Sequence, residues 1–130
     1  MRSGALRAHL KRGGLIAYPT ESCFGLGCDP RNRAALRKLI RLKGRDHAKG
    51  LILIADRFRR LRPFLTPLTP ADHERLRRSW PGPVTWVAPA SRRCPPLLTG
   101  GRDTLAVRVT AHAGAARLCR AAGMALVSTS

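Results

Sequence analysis

Short apolar runs recur along the chain, and between them apolar residues fall on one side of a helix. "LIAYPT" (Leu15 to Thr20), "LILIAD" (Leu51 to Asp56), "VTWVA" (Val84 to Ala88), "TLAVRVT" (Thr104 to Thr110) and "ALVS" (Ala125 to Ser128) read as strands. The unbroken run of "LILIAD" points to a strand buried on both faces. "TLAVRVT" alternates instead: Leu105, Val107 and Val109 face one way, Ala106, Arg108 and Thr110 the other. "RNRAALRKLIRLK" sets Ala35, Leu36, Leu39, Ile40 and Leu42 against a face of Arg and Lys, an amphipathic helix. Asp29 is expected to cap it, with Pro30 in the first turn and Gly44 as its stop. Thr69, Pro70 and Asp72 open a second helix, expected to run to about Ser79 before "WPGP" breaks it. "AHAGAARLCRAAG" is a third, ended by Gly123. A short Arg-rich helix is expected after Asp56, ended near Pro63. "ESCFGLGCDP" and "SRRCPPLLTGGRD" read as Gly/Pro loops. Interleaved strands and helices predict an α/β fold with an open, mixed sheet and flanking helices, in a single domain spanning residues 1–130.

Composition narrows the partners more than the fold. The 130 residues include 25 Lys and Arg against 7 Asp and Glu, a formal net charge of +18. Such an excess attracts anions, so nucleotides, RNA and acidic metabolites all fit. The excess is mostly Arg, which a genome's codon bias also produces. No run of about 18 apolar residues predicts a membrane span. The basic N-terminus, "MRSGALRAHLKRGG", lacks the apolar core of a signal peptide, which makes a cytoplasmic location the expectation. Cys23, Cys28, Cys94 and Cys119 form no C-x-x-C and have no His at zinc-finger spacing, so free thiols are expected in place of a metal site.

Candidate chemistry collects at strand ends, where open α/β sheets place ligands. Thr20 follows the first strand; it either holds a polar ligand or closes a turn after Pro19. Lys43, Arg45 and Lys49 surround a loop entering a buried strand; they suit a polyphosphate, or form a solvated charge run. No Walker A pattern is present. Arg108 lies on a half-buried strand face with small neighbours, where an unpaired charge is costly. With so few acidic residues available, a ligand carboxylate or phosphate is a natural partner. Thr104 opens the same strand. Ser128, Thr129 and Ser130 end the chain with hydroxyls, without the G-x-S-x-G pattern of a hydrolase nucleophile. His9, His47, His73 and His112 suggest no triad. Cations and hydroxyls without a nucleophile suit a reaction whose substrate brings its own, catalysed by positioning and charge neutralisation.

The blocks "AYPTESCFGLGCDP", "LIRLKGRDHAKGLILIA", "WPGPVTWV", "LAVRVTAH" and "ALVSTS" resemble, in this order, the YrdC/TsaC family, the threonylcarbamoyl-AMP synthases of tRNA modification. The resemblance spans roughly residues 12 to 130. It implies a twisted sheet with a positively charged concave face. It further implies a nucleotidyl transfer in which L-threonine, bicarbonate (or CO2) and ATP give threonylcarbamoyl-AMP and pyrophosphate, with Mg²⁺ bridging the phosphates. The product would go to partner proteins that modify adenosine 37 of tRNA. By position in the motifs, Thr20, Arg108 and Ser128 would contact threonine. Lys43, Arg45, Lys49, Thr104 and Ser130 would contact ATP, with Lys43 and Arg45 as the catalytic cations. Some relatives carry a His in the strand after the cationic loop; here Leu51 to Ile54 are all aliphatic. Family members also continue beyond "STS" with Ala-Asn and a further segment, so the resemblance implies an incomplete C-terminus and impaired activity. Two other readings remain: a catalytically impaired domain that binds RNA through its basic face, and a domain of a carbamoyl-transfer system.

Overall fold

A computed structural model describes residues 3–19, 24–44 and 50–129. Among them the chain forms α1 (Ser3–Lys11), β1 (Ile16–Pro19), β2 (Phe24–Gly27), α2 (Arg33–Lys43), β3 (Ile52–Ala55) and α3 (Pro70–Ser79). There follow β4 (Trp86–Pro89), α4 (Pro96–Thr99), β5 (Thr104–Val109), α5 (Ala113–Ala122) and β6 (Leu126–Ser128). In the order β4-β5-β3-β6, strand β3 runs parallel to β5 and antiparallel to β6, and β4 is antiparallel to β5. The β1–β2 hairpin extends this sheet beyond β6. Leu26 and Thr129 exchange both backbone hydrogen bonds, at 2.7 and 3.0 Å, and the Val127 amide donates to the Cys28 carbonyl at 3.1 Å. The expected open, mixed α/β sheet is thus present.

Strand alternation divides the core into two layers. On one face Leu53, Ala55, Val107, Val109 and Val127 pack against Leu36, Leu39 and Ile40 of α2. On the other, Ile54 and Leu126 join Tyr18, Leu6 and Leu10 of α1, and Ala115, Cys119 and Ala122 of α5. The second layer is smaller and leaves part of its face open.

Several local details differ from the sequence expectation. Helix α2 is capped by Asn32, whose side-chain oxygen accepts from the Ala35 amide at 2.9 Å, and not by Asp29. Asp29 instead closes the preceding turn by accepting from the Arg31 amide at 2.9 Å; its buried carboxylate also faces Lys11 at 3.9 Å. The first glycine-containing segment is no simple loop, because Phe24 to Gly27 form β2. The Pro/Gly loop after β4 contains α4, and the N-terminal basic segment contains α1. The Arg-rich stretch after β3 makes two 3-10 turns, Phe58–Arg60 and Arg62–Phe64. Helices α3 and α5 begin and end as expected, with the Thr69 hydroxyl accepting from the Asp72 amide at 3.2 Å.

Two features can be tested directly. A Cβ at Gly27 would stand 2.4 Å from the Val127 carbonyl oxygen and 2.7 Å from a Tyr18 ring carbon. Gly27→Ala should therefore destabilise the chain by about 1–3 kcal/mol in urea denaturation, with a lowered midpoint. Burial pushes the thiols of Cys28 and Cys119 up to about 12 and that of Cys94 up to about 11. The folded chain therefore holds these protons where the unfolded chain, at the ordinary thiol value of 9.0, releases them. Stability from this source is complete below pH ~9 and declines as pH rises toward the folded values. Native labelling with a thiol reagent at neutral pH should leave Cys28, Cys94 and Cys119 unmodified until denaturant is added.

Candidate functional site

The strand register assembles one row of side chains across four strands. Val87 is opposite Ala106, Ala106 opposite Ile52, and Ile52 opposite Ser128. Alternation puts all four on the α5-facing side of the sheet. Helices α1 and α5 cover the neighbouring Ile54 and Leu126, but not this row's outer end: Val87 is 67% exposed, and Ile52 and Ala106 are half-buried. Arg108, opposite Ile54, stands two residues along β5 on the same face; Thr104, opposite Pro89, stands two residues the other way. Each step of two residues is about 7 Å. An apolar floor is thus bordered by a guanidinium and hydroxyls.

Arg108 is half-buried, and its Nε is buried without a hydrogen-bond partner. Among the described residues no carboxylate forms an ion pair with it. Tyr18 lies close by. Its hydroxyl donates to the Val127 carbonyl at 3.1 Å, and the Ser128 side chain interacts with it. Burial raises the Tyr18 phenol far above its ordinary value, while Ser128 and the Arg108 charge pull the other way. The phenol is therefore a fixed neutral dipole beside a cation. A guanidinium with an unmet donor, on the same sheet face as a serine hydroxyl, suits a carboxylate or phosphate.

The structure thus brings together Thr104, Arg108 and Ser128 on one face. Lys43 stands apart, exposed on the last turn of α2, immediately before the Gly44 cap in left-handed geometry. Thr20, Arg45, His47, Lys49 and Ser130 lie outside the described residues. Among the described residues, Pro19 pairs with Phe24 at the end of the β1–β2 ladder, and Gly50 precedes β3 at the sheet end where β5 starts and β6 finishes. Thr129 does not share the face of Ser128; alternation turns it toward the α2 layer, where its hydroxyl is buried without a partner. Tyr18 was not among the residues singled out from sequence. Its signal was a lone polar tip inside an otherwise apolar run. Among the described residues no group of three His, Cys, Asp or Glu could hold a metal ion. No described helix is long and apolar enough to cross a membrane.

Among the described residues Arg108 finds no ion pair in return for the hydration it gives up. Arg108→Met should therefore leave the thermal midpoint unchanged or raise it. A stability loss above ~1 kcal/mol would reveal an internal partner for the guanidinium.

Comparison with known proteins adds independent findings. The family model Sua5/YciO/YrdC, described as telomere recombination, matches residues 8–130. A threonylcarbamoyl-AMP synthase of Thiobacillus denitrificans is 73% identical over 132 residues, covering 99% of this chain and 70% of the relative. One from Methylobacillus flagellatus is 61% identical over 130 residues, covering 100% of this chain and 72% of the relative. The crystal structure of P. abyssi Sua5 complexed with L-threonine superposes with a TM-score of 0.89 at 31% identity, covering 100% of this chain but 39% of that one.

Proposed function

The chain belongs to the Sua5/YciO/YrdC family, and from that premise we propose that it forms threonylcarbamoyl-AMP from L-threonine, bicarbonate or CO2, and ATP. The observation that carries this reading is Arg108: a half-buried guanidinium with an unmet donor, on the sheet face that also carries Ser128. Arg108 takes the threonine carboxylate as a charge-assisted fork, and Ser128 and Thr20 take its remaining polar groups. The threonine amine adds CO2 to give a carbamate. A carbamate oxygen attacks the α-phosphorus of ATP, and the bond to the leaving pyrophosphate breaks. The substrate supplies the nucleophile, so the protein needs to neutralise charge and hold the partners in line. Lys43, Arg45 and Lys49 fit the phosphates, and Thr104 and Ser130 the nucleotide. Mg²⁺ enters with ATP as part of the substrate. Tyr18 orients Ser128 through its buried hydroxyl.

The proposal extends to the product's use in modifying adenosine 37 of tRNA by partner proteins, in the cytoplasm. The +18 charge suits contact with tRNA or other RNA through the basic face.

Threonine- and bicarbonate-dependent pyrophosphate release from ATP tests the reading. Release is expected, and Arg45→Ala should remove ATP binding. Arg108→Ala should weaken threonine by about 10- to 100-fold while ATP binding persists. Threonine binding unaffected by Arg108→Ala would refute the carboxylate site. Steeply salt-dependent RNA binding without any pyrophosphate release would favour an RNA-binding module instead.

A further inference from the structure

A second collection of functional groups lies on the opposite face of the sheet. After β3 the chain makes its two 3-10 turns and enters α3, and this segment packs against the α2-facing layer at Val109. Between them is a cavity of about 330 Å³ whose wall includes Phe58, His73, Trp80, Arg57 and Arg77. A neighbouring cavity of about 220 Å³ shares Phe58 and His73 and adds Arg62. The larger one falls at the small end of ligand pockets, ~300–1,000 Å³. Val109 points away from the face that carries Arg108, so neither cavity belongs to the site described above.

The walls have a specific chemistry. Phe58 meets His73 edge-on at 5.4 Å between ring centres, and Trp80 at 6.4 Å with the planes tilted by 32°. All three rings are half-buried, and the Trp80 indole N–H is held by the Val84 carbonyl at 2.7 Å. Trp80 is therefore held in place, and all three residues are partly exposed. Arg62 lies over the Phe58 ring at 5.7 Å. Residues 56 to 78 hold seven Arg against Asp56, Asp72 and Glu74, a local net charge of +4. Asp56 is spent internally, accepting from Arg60 at 2.6 Å and Arg57 at 3.3 Å, with its side chain 1% exposed. Among the described residues, Asp72 and Glu74 pair with Arg75, Arg77 and Arg78, at 3.5 to 4.0 Å. Exposed cations therefore remain in excess around an aromatic wall.

An apolar ligand would gain nothing from these arginines, and a polyphosphate would gain nothing from the rings. A nucleotide with an unpaired base uses both, by stacking on the rings and placing phosphates among the guanidinium groups. We propose that the Phe58–His73–Trp80 cavity, walled also by Arg57 and Arg77 and adjoining the smaller cavity that holds Arg62, is a stacking site for an unpaired base of single-stranded RNA, separate from the Arg108 face. The site binds and performs no chemistry. It anchors a strand while the opposite face works.

Tryptophan fluorescence quenching with short single-stranded oligoadenylate tests this on the whole chain. Binding is expected, weakened about tenfold by Phe58→Leu or His73→Ala. Joint Arg62→Gln and Arg77→Gln should flatten the salt dependence by roughly one unit of slope. Phe58→Leu preserves apolar packing, circular dichroism verifies folding, and ATP-dependent pyrophosphate release should be unchanged in all variants. The proposal fails if oligoadenylate does not bind, or if both ring variants bind as the parent does. It also fails if a duplex of equal length or inorganic polyphosphate binds as tightly. AMP alone binding as tightly as the strand would overturn the strand assignment.

Discussion

The antiparallel register of β6 against β3 is the constraint on which the rest of this molecule depends. Ile52 opposite Ser128 and Ile54 opposite Leu126 decide which side chains share a face. A slip of one residue would exchange every side chain of β6 between faces. Ser128 would enter the α2-facing layer, and Val127 would turn toward Tyr18. The register is pinned from both sides. Leu126 is fully buried in the α5 layer and Val127 in the α2 layer, and Tyr18 donates to the Val127 carbonyl over the bare Cα of Gly27. Apolar burial thus sets the position of a serine that contributes nothing to the core.

The same rule places Arg108. Its strand neighbours Val107 and Val109 are buried on the α2 side, so the guanidinium must lie on the side of Ser128. Helices α1 and α5 shield only part of that side. A cation left half-buried without an ion pair is unfavourable for stability alone. The fold therefore carries a local cost that an anion bound there would offset. The two faces divide the work, since one is packed by α2 and fringed by aromatic rings, while the other opens onto a cation and hydroxyls.

Much of this was legible in the sequence because strand alternation and helix caps are local signals. Arg108 betrayed itself as the one charge in an alternating strand, and Thr69-Pro70 marked the start of α3. The missed elements have physical reasons. Strand β2 is half glycine, and its pairing with β1 and with Thr129 supplies the order that its composition lacks. Asn32 outcompeted Asp29 as cap because Asp29 was engaged in the turn before it. Tyr18 could not be assigned beforehand, since its role depends on contact with Val127 and Ser128, more than a hundred residues away in sequence. Thr129 illustrates the converse: three consecutive hydroxyls suggested one lining, yet period-two alternation sends the middle one to the other face.

The central claim is that Arg108 waits for a carboxylate. Its Nε–H can be followed by nitrogen-15 NMR while L-threonine is titrated, and again with threoninol, which keeps the hydroxyl and amine but lacks the carboxylate. A saturable shift of the Arg108 resonance with threonine, and none with threoninol, is the predicted result. An Arg108 signal indifferent to threonine, or moved equally by threoninol, would contradict the account.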